Sequence, residues 1–473
     1  MKIIKAALPL TLLLLSGCVV GPDYQAPDTA LPAKFSESGS KPTPNVTLNP
    51  WWEAFRDKKL NSLIQQGMNE NLSVLTSLER IVEAQANVVA AGAGALPQIN
   101  GSGSATASGE DGKPVNGHTQ TKQMNAGVGA SWLLDLFGQY RRAVESANAS
   151  LDAAYADVNV TRLAYFSDLA TSYIDLRYYQ EALAQTRVSL ASRRETLKLT
   201  EDIRQAGAAS SLDVVQAEGL VNQTLAELPA LEIGYYQAAN HIATLLGLPA
   251  ATITKSLEKG AGQPVARYTT KTGVPADLIR NRPDIRKSER ELAAATAAIG
   301  VAEAQLFPSL TLDGSIGAQR LFTNAVTGNL TSWAFGPSLT VPIFQGGALR
   351  AQVDISKSQA QQQYLAWKQT VLNAVEEVED AQVSINRAIQ TVAALRKVVS
   401  SYEEALSLAR ESYRGGATTV LDVLDAERNV ADGRLSLAAA IRTQASSFVA
   451  LNVAIGGAAD IGSPSLASTS PSQ

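Results

Sequence analysis

Several things are scarce in this chain. Its 473 residues hold one cysteine, Cys18, and two histidines. A lone thiol excludes an intramolecular disulfide, and so few thiolate and imidazole ligands leave no structural metal site. The net charge is −4, with 18% charged residues. Without a basic excess to neutralise phosphates, nucleic acid is excluded as a partner. Beyond the N-terminus no run of about eighteen apolar residues occurs, which excludes a transmembrane helix in the mature chain. Transmembrane β-strands survive that test, because about ten alternating residues suffice for each and leave a weak hydropathy signal. A nucleophile elbow, a phosphate loop and an HExxH motif are all missing. The chain therefore reads as a non-enzyme without a cofactor. His118, in a polar loop, and His241, on a helix, read as plain residues rather than ligands.

What is present is said twice. Leu169, Leu176, Leu183, Leu190 and Leu197 recur every seven positions. Adding 209 to each number gives Val378, Ile385, Val392, Val399 and Leu406, a second apolar row. The same offset carries Gly207 to Gly416, Leu212-Asp213-Val214 to Leu421-Asp422-Val423, and Ala217-Glu218 to Ala426-Glu427. The chain is a tandem duplication of one long module.

Ahead of the repeats, Lys2 and Lys5 precede the apolar stretch from Ala6 to Leu15, and Ser16-Gly17-Cys18 follow. Residues 1–17 read as a secretory signal. The segment resembles the bacterial lipoprotein signal, which implies a diacylated, palmitate-bearing Cys18 as the first mature residue and the only covalent addition. Val19 and Val20 stand where an aspartate would retain a lipoprotein, so the resemblance implies passage to the outer membrane. Residues 18–50, rich in Pro, Ser, Thr and Asn, read as a lipid-anchored extended tether with little core.

The first repeat, 51–247, opens with Trp51-Trp52 and Phe55, then Leu60, Leu63 and Ile64 at helical spacing. A second helix, about 72–95, ends at Gly92, Gly94 and Pro97. A strand hairpin follows at about 97–136, with a polar loop at 109–121; its counterpart in the second repeat, 276–456, lies at about 308–344. There Leu310, Leu312, Ile316 and Ala318 alternate with Ser309, Thr311, Asp313 and Ser315. After a turn, Trp333, Phe335, Leu339 and Val341 alternate with Ser332, Ser338 and Thr340. Each hairpin has one apolar and one polar face. Either it packs on a soluble core, or the apolar face meets lipid. Four strands cannot close a barrel, which needs about eight, and open edges demand partners. Pooling the hairpins of several copies meets both needs, and composition alone allows two copies or three.

Each hairpin leads into a proline-free helix, about 137–206 and about 346–415. At 1.5 Å per residue each is a rod of about 100 Å, and its strict heptad predicts a left-handed supercoil. The rods reverse at Gly207 and at Gly415-Gly416, at the end opposite the hairpins, and return through 212–246 and 421–455. Pro229 is expected to kink or interrupt the first return helix. Residues 248–275 read as a connector between the repeats, and 457–473 as a disordered tail. Lipid at one end, membrane-compatible strands and long rods together suggest a conduit made by several copies.

Further segments carry a family resemblance: Trp51-Trp52 with Phe55 and Asp57; Trp132 with Asp135-Leu136-Phe137-Gly138; Arg282-Pro283-Asp284-Ile285-Arg286 with Glu289; Gly300-Val301-Ala302 running to Phe307-Pro308; Val341-Pro342-Ile343-Phe344 with Gly346-Gly347; and Leu421-Asp422-Val423-Leu424-Asp425-Ala426. Together and in this order they resemble the lipoprotein branch of the outer-membrane factors, the TolC-like channels of tripartite efflux systems. The resemblance implies a mixed α+β membrane protein, a homotrimer whose four strands per chain make a 12-stranded outer-membrane β-barrel continuing into a long periplasmic α-helical barrel. It further implies a periplasmic adaptor and an inner-membrane efflux transporter of the resistance-nodulation-division type as partners, with drugs or other small toxic solutes as cargo. A type I protein-secretion duct would share the architecture. A lipid-anchored periplasmic coiled-coil scaffold is the reading from a different class.

Asp422 and Asp425 are spaced i, i+3 and share a helix face. Taken alone they read as a solvated acidic face paired with Arg428. The resemblance makes them, with Leu421, the periplasmic gate. Carboxylates about 6 Å apart in water repel by only roughly 0.7 kcal/mol per pair, so closure needs other contacts as well. The resemblance also implies a latch between Tyr413 and Asp213. The arginine that assists it in some members falls at Thr418, and Arg414 or Arg410 could take its place. The run Glu376, Glu377, Glu379 and Asp380 reads as a solvated helix face that could also line a tube.

Overall fold

The computed structural model describes residues 19–28, 30–37, 50–110, 119–267, 275–323 and 327–459. The signal segment, Cys18, His118 and the tail from residue 460 lie outside the described residues. In chain order come a 3-10 turn Trp51–Phe55, α1 Lys58–Glu70, α2 Leu72–Ala93, β1 Gln98–Glu110, β2 Thr119–Leu134, α3 Gln139–Gln205, α4 Ser211–Leu245, α5 Ala251–Leu257, α6 Pro275–Asn281, α7 Pro283–Ala304, β3 Ser309–Thr323, β4 Thr327–Thr340, α8 Ala348–Arg414 and α9 Val420–Ala454. Adding 209 to the bounds of α3 and α4 gives those of α8 and α9, so the duplication holds at both ends of both helix pairs. The longer helices have 67 residues and the return helices 35. No described helix is long and apolar enough to cross a membrane.

The chain forms two compact units, and each draws on both repeats. One gathers 1–28, 80–155 and 287–368; the other gathers 29–79, 156–286 and 369–473. The first unit holds the sheet, antiparallel and in chain order β1-β2-β3-β4. Its register pairs Ile99 with Ala130, Val128 with Ile316, and Ile316 with Trp333. Because side chains alternate along each strand, that register puts the apolar residues of all four strands on one face.

In the second unit, heptad burial shapes the core. Leu169 and Leu176 are fully buried, Leu183 and Leu190 nearly so, and Val378 and Val392 repeat the pattern on α8. Trp52 packs on Phe166 with centroids 4.7 Å apart, and Phe55 meets Phe448 edge-on at 5.3 Å. Asp57 caps α1 by accepting from the Lys59 and Leu60 amides. Its other oxygen accepts from the Tyr173 hydroxyl at 2.6 Å, and Arg177 donates to that same hydroxyl. Burial, then the bond to Asp57, pushes the Tyr173 phenol well above its ordinary pKa.

Four expectations need correction. Pro229 does not interrupt α4, which continues as one helix past it; the proline sits on an exposed face, and Thr224, Gly234 and Tyr235 are buried. The tether has a core after all. Phe35 is fully buried, and the Ser36 amide donates to both oxygens of Glu379 at 2.9 and 3.1 Å. The acidic run on α8 is accordingly no plain solvated face. Besides Glu379, Glu377 takes a 2.6 Å bond from Arg282, whose guanidinium also holds Asp284 and the Ala454 carbonyl. Lastly, residues 457–459 are packed rather than loose: Ala458 and Ala459 are buried, and the Gly457 amide returns to the Asn452 carbonyl.

Candidate aperture at the helix tips, and the faces of the sheet

The tips of both helical hairpins are built alike. Helix α3 ends in a left-handed glycine, Gly207 at φ +80°, and the Ala208 amide reaches back to the Ile203 carbonyl. Helix α8 ends the same way at Gly416, φ +72°, with Ala417 bonded to Ser412. Each is a Schellman closure, which requires a residue that tolerates positive φ. Gly415 is not that residue: its amide still makes the helical bond to the Glu411 carbonyl. Three residues beyond each turn glycine stands a capping side chain. The Ser210 hydroxyl accepts from the Asp213 amide, and the Asp213 carboxylate accepts from the Ser210 amide at 2.8 Å. Asp422 likewise accepts from the Thr419 amide at 3.0 Å and hydroxyl at 2.9 Å. The Ser-x-x-Asp and Thr-x-x-Asp spacing is the capping-box pattern, a signal that local reading could have supplied.

The structure therefore gives Asp213 and Asp422 a local task. Asp425 accepts from Arg428 at 2.8 Å, both partly exposed, and Leu421 is 51% exposed at the start of α9. Leu421, Asp422 and Asp425 thus share the first turns of one helix with both carboxylates near solvent. Tyr413 and Asp213 are not brought together. The tyrosine is buried with Val420, Val423, Leu424 and Ala217, and its hydroxyl lies 3.5 Å from Thr200 Oγ1.

A buried contact that joins the two hairpins centres on a residue the sequence did not single out for this role. Glu427 on α9 is 3% exposed. Its Oε1 accepts from Arg410 on α8 at 2.6 Å, from Thr196 on α3 at 2.6 Å and from Ser192 at 3.1 Å. Arg410 also donates to the Ser192 hydroxyl. A buried carboxylate is tolerated only when paired and hydrogen-bonded, so this cluster ties α9 to the hairpin of the other repeat. It borders a cavity of about 710 Å³ that also meets Arg193, Arg414 and Arg434. Arg414 makes an exposed 3.5 Å pair with Glu195.

In the sheet, the two faces differ in kind. Trp333 and Phe335 are each 79% exposed on the apolar face, with Ile99, Val128, Ile316 and Leu339 beside them. The other face is knitted by side-chain hydrogen bonds: Ser131 to Asp313 at 2.7 Å, Asn125 to Ser104 at 3.2 Å and Gln123 to Asn125 at 3.0 Å. Among the described residues, strands β1 and β4 each have one edge without a partner strand.

Comparison with known proteins agrees with this geometry. The chain is similar to nodulation protein T of Rhizobium leguminosarum bv. trifolii, 50% identical over 96% of this chain and 98% of the relative. It is similar to the solvent efflux pump outer membrane protein SrpC of Pseudomonas putida, 31% identical over 94% and 96%. Among solved structures it matches the outer-membrane channel OprN with a TM-score of 0.83 and 31% identity, covering 93% of this chain and 99% of that one. The fold class is that of trimeric outer-membrane channels. The family model described as outer membrane efflux protein matches residues 63–248 and 274–457, one match on each repeat, and the chain belongs to that family, whose members are channels that extend from the outer membrane into the periplasm and not enzymes.

Proposed function

We propose that three copies of this chain join their sheets edge to edge into a twelve-stranded barrel, and that their helices enclose a tube leading to it. Through this duct drugs or other small toxic solutes leave the cell passively, handed over by a periplasmic adaptor and an inner-membrane transporter of the resistance-nodulation-division type. Cys18 carries the lipid that anchors the chain. The single observation that carries this reading is the sheet. Its exposed aromatic face is too apolar for water, its opposite face is polar and hydrogen-bonded, and both edges await a partner. Lipid outside, water inside and strands shared among copies satisfy all three. The solvent efflux role of the Pseudomonas putida relative supports a small-solute cargo.

At the tips, Leu421, Asp422 and Asp425 of the three copies form the aperture. The contacts of Glu427 with Arg410, Ser192 and Thr196 take the holding role that the resemblance assigned to Tyr413 and Asp213. The test is conductance of the purified chain in planar bilayers, together with growth of a deletion strain on a panel of toxic compounds. Cation-preferring channels and a sensitised strain are expected. A water-soluble chain that neither conducts nor protects would reject the duct.

A further inference from the structure

Charge is segregated in the sheet. Its four strands hold two cations, Lys122 and Arg320, and the register puts both on the apolar face, at the end away from the helices. Lys122 stands opposite Phe322, and Arg320 stands opposite Met124 in the adjoining row of that face. The two cations are therefore diagonal neighbours, about 7–8 Å apart. Arg320 lies over the Phe322 ring, 4.9 Å from its centroid, a cation–π contact that fixes the guanidinium. Both cations are exposed, and neither has an ion-pair partner among the described residues. One row nearer the helices the side chains shrink to Ala126 and Ala318, and a shallow cavity of about 630 Å³ meets these two together with Val128, Ile316 and Thr331.

The depth of the pair follows from the strand. Lys122 lies on β2 ten residues from Trp132, whose indole donates to the Ala95 carbonyl at the helix end of the sheet. Ten residues at about 3.4 Å each, tilted by about 40°, rise about 26 Å, which matches the apolar band of about 25 Å on a membrane barrel. Trp132 thus marks one border of the band and the cations mark the other. Charge on the lipid face is strongly disfavoured at mid-bilayer and tolerated at the border. Charges that only kept the rim in water would serve on either face, yet both cations stand on the lipid side. We infer that Lys122 and Arg320 bind the phosphate of an outer-leaflet glycolipid, with its acyl chains laid over Ala126 and Ala318. Arginine presents paired donors to phosphate oxygens, and lysine adds a point charge. The site rests on the reading of the sheet as part of a barrel, and a trimer carries three such sites.

The experiment titrates the purified full-chain oligomer, in neutral detergent, with lipid A bearing both phosphates and counts bound lipid by native mass spectrometry. A cation near an anionic lipid surface contributes roughly five-fold in binding. Lys122→Gln with Arg320→Gln is accordingly expected to weaken binding at least ten-fold, and Lys122→Arg to stay within two-fold of the parent. Lys397→Gln, which removes an exposed cation from α8, is expected to leave binding unchanged. Dephosphorylated lipid A should bind the parent at least ten-fold more weakly, a comparison that stands even if the double variant fails to assemble. Millimolar inorganic phosphate should not displace the lipid. Equal binding by parent and double variant, equal binding of the two lipids, equal weakening by Lys397→Gln, or displacement by inorganic phosphate would each overturn the inference. If the parent still conducts in planar bilayers, such a result leaves the duct intact; a parent that never enters a bilayer overturns both.

Discussion

Replacing Arg410 by methionine tests whether the buried carboxylate at the tips holds the two hairpins together. Glu427 would keep its hydroxyl partners, Ser192 and Thr196, but lose its only ion-pair partner among the described residues. Removing one member of a buried pair costs about 3–5 kcal/mol, because an uncompensated charge stays behind. The lower end applies, since the Arg410 side chain is 26% exposed and the adjoining cavity lets water in. A loss of about 3 kcal/mol raises local opening about 100-fold. Glu427→Gln removes the charge but keeps an acceptor, and should cost only about 1–2 kcal/mol, the difference between charged and neutral hydrogen bonds. Removing both charges in the double variant should recover most of the loss. Native-state hydrogen exchange of the segments around Leu406–Tyr413 and Val420–Val430 measures all three. If Arg410→Met is no worse than Glu427→Gln, or the double variant shows the sum of the singles, the cluster is not a coupled lock.

The aperture residues have a built-in control. Asp422→Ala with Asp425→Ala should raise conductance or weaken block by cations, and Asp422→Ala alone should also cost about 1 kcal/mol as a lost cap contact. Asp213→Ala, its twin on the other hairpin, should cost the same in helix stability and leave conductance unchanged; matching conductance changes would reduce Asp422 to a cap. Gly416→Ala should destabilise the α8–α9 reversal by about 1–2 kcal/mol because of its positive φ, whereas Gly415→Ala should be nearly neutral in thermal melting. On the sheet, Trp333→Lys should impair membrane assembly by about 2–4 kcal/mol if the site lies at mid-bilayer depth, and Ser332→Lys on the opposite face should assemble normally. For pH, the raised Tyr173 pKa means its contribution is complete below the unfolded value of about 10 and lost as pH climbs through the folded value. Burial also raises Tyr24, Tyr165 and Tyr235, so absorbance titration should show a group of late-ionising tyrosines, which Tyr173→Phe should reduce by one.

Local periodicity carries the fold in this sequence. Leu169 through Leu190 recur every seven residues because one stripe of a long helix is buried, and the alternation from Leu310 to Leu339 exists because one face of the sheet is apolar. Both periods are written within about thirty residues of sequence. The hydrogen bond from Tyr24 to Glu289 spans 265 positions, the docking of Ser36 on Glu379 spans 343, and the Ser192–Glu427 contact spans 235. No period encodes such partners, so the tether looked coreless and the acidic run looked solvated. Arg282 shows the intermediate case. Its neighbour Asp284 is visible in the sequence, but Glu377, 95 positions away, is not.

Duplication gives both hairpins similar residues, and burial then separates their work. Leu212 and Leu421 are twins, and both remain exposed at 64% and 51%. One helical turn on, Val215 stays 62% exposed while its twin Leu424 falls to 4%. Another turn on, Glu218 is exposed and its twin Glu427 is buried. A carboxylate leaves water only where a cation and donors await it. The position that supplies Arg410 to the second hairpin holds Glu201 in the first, a like charge that would disfavour the same burial of Glu218. The reversal of sign between these twin sites thus disfavours for Glu218 the burial that Arg410 permits for Glu427, and Thr196, which also donates to Glu427, has Ala405 as its twin.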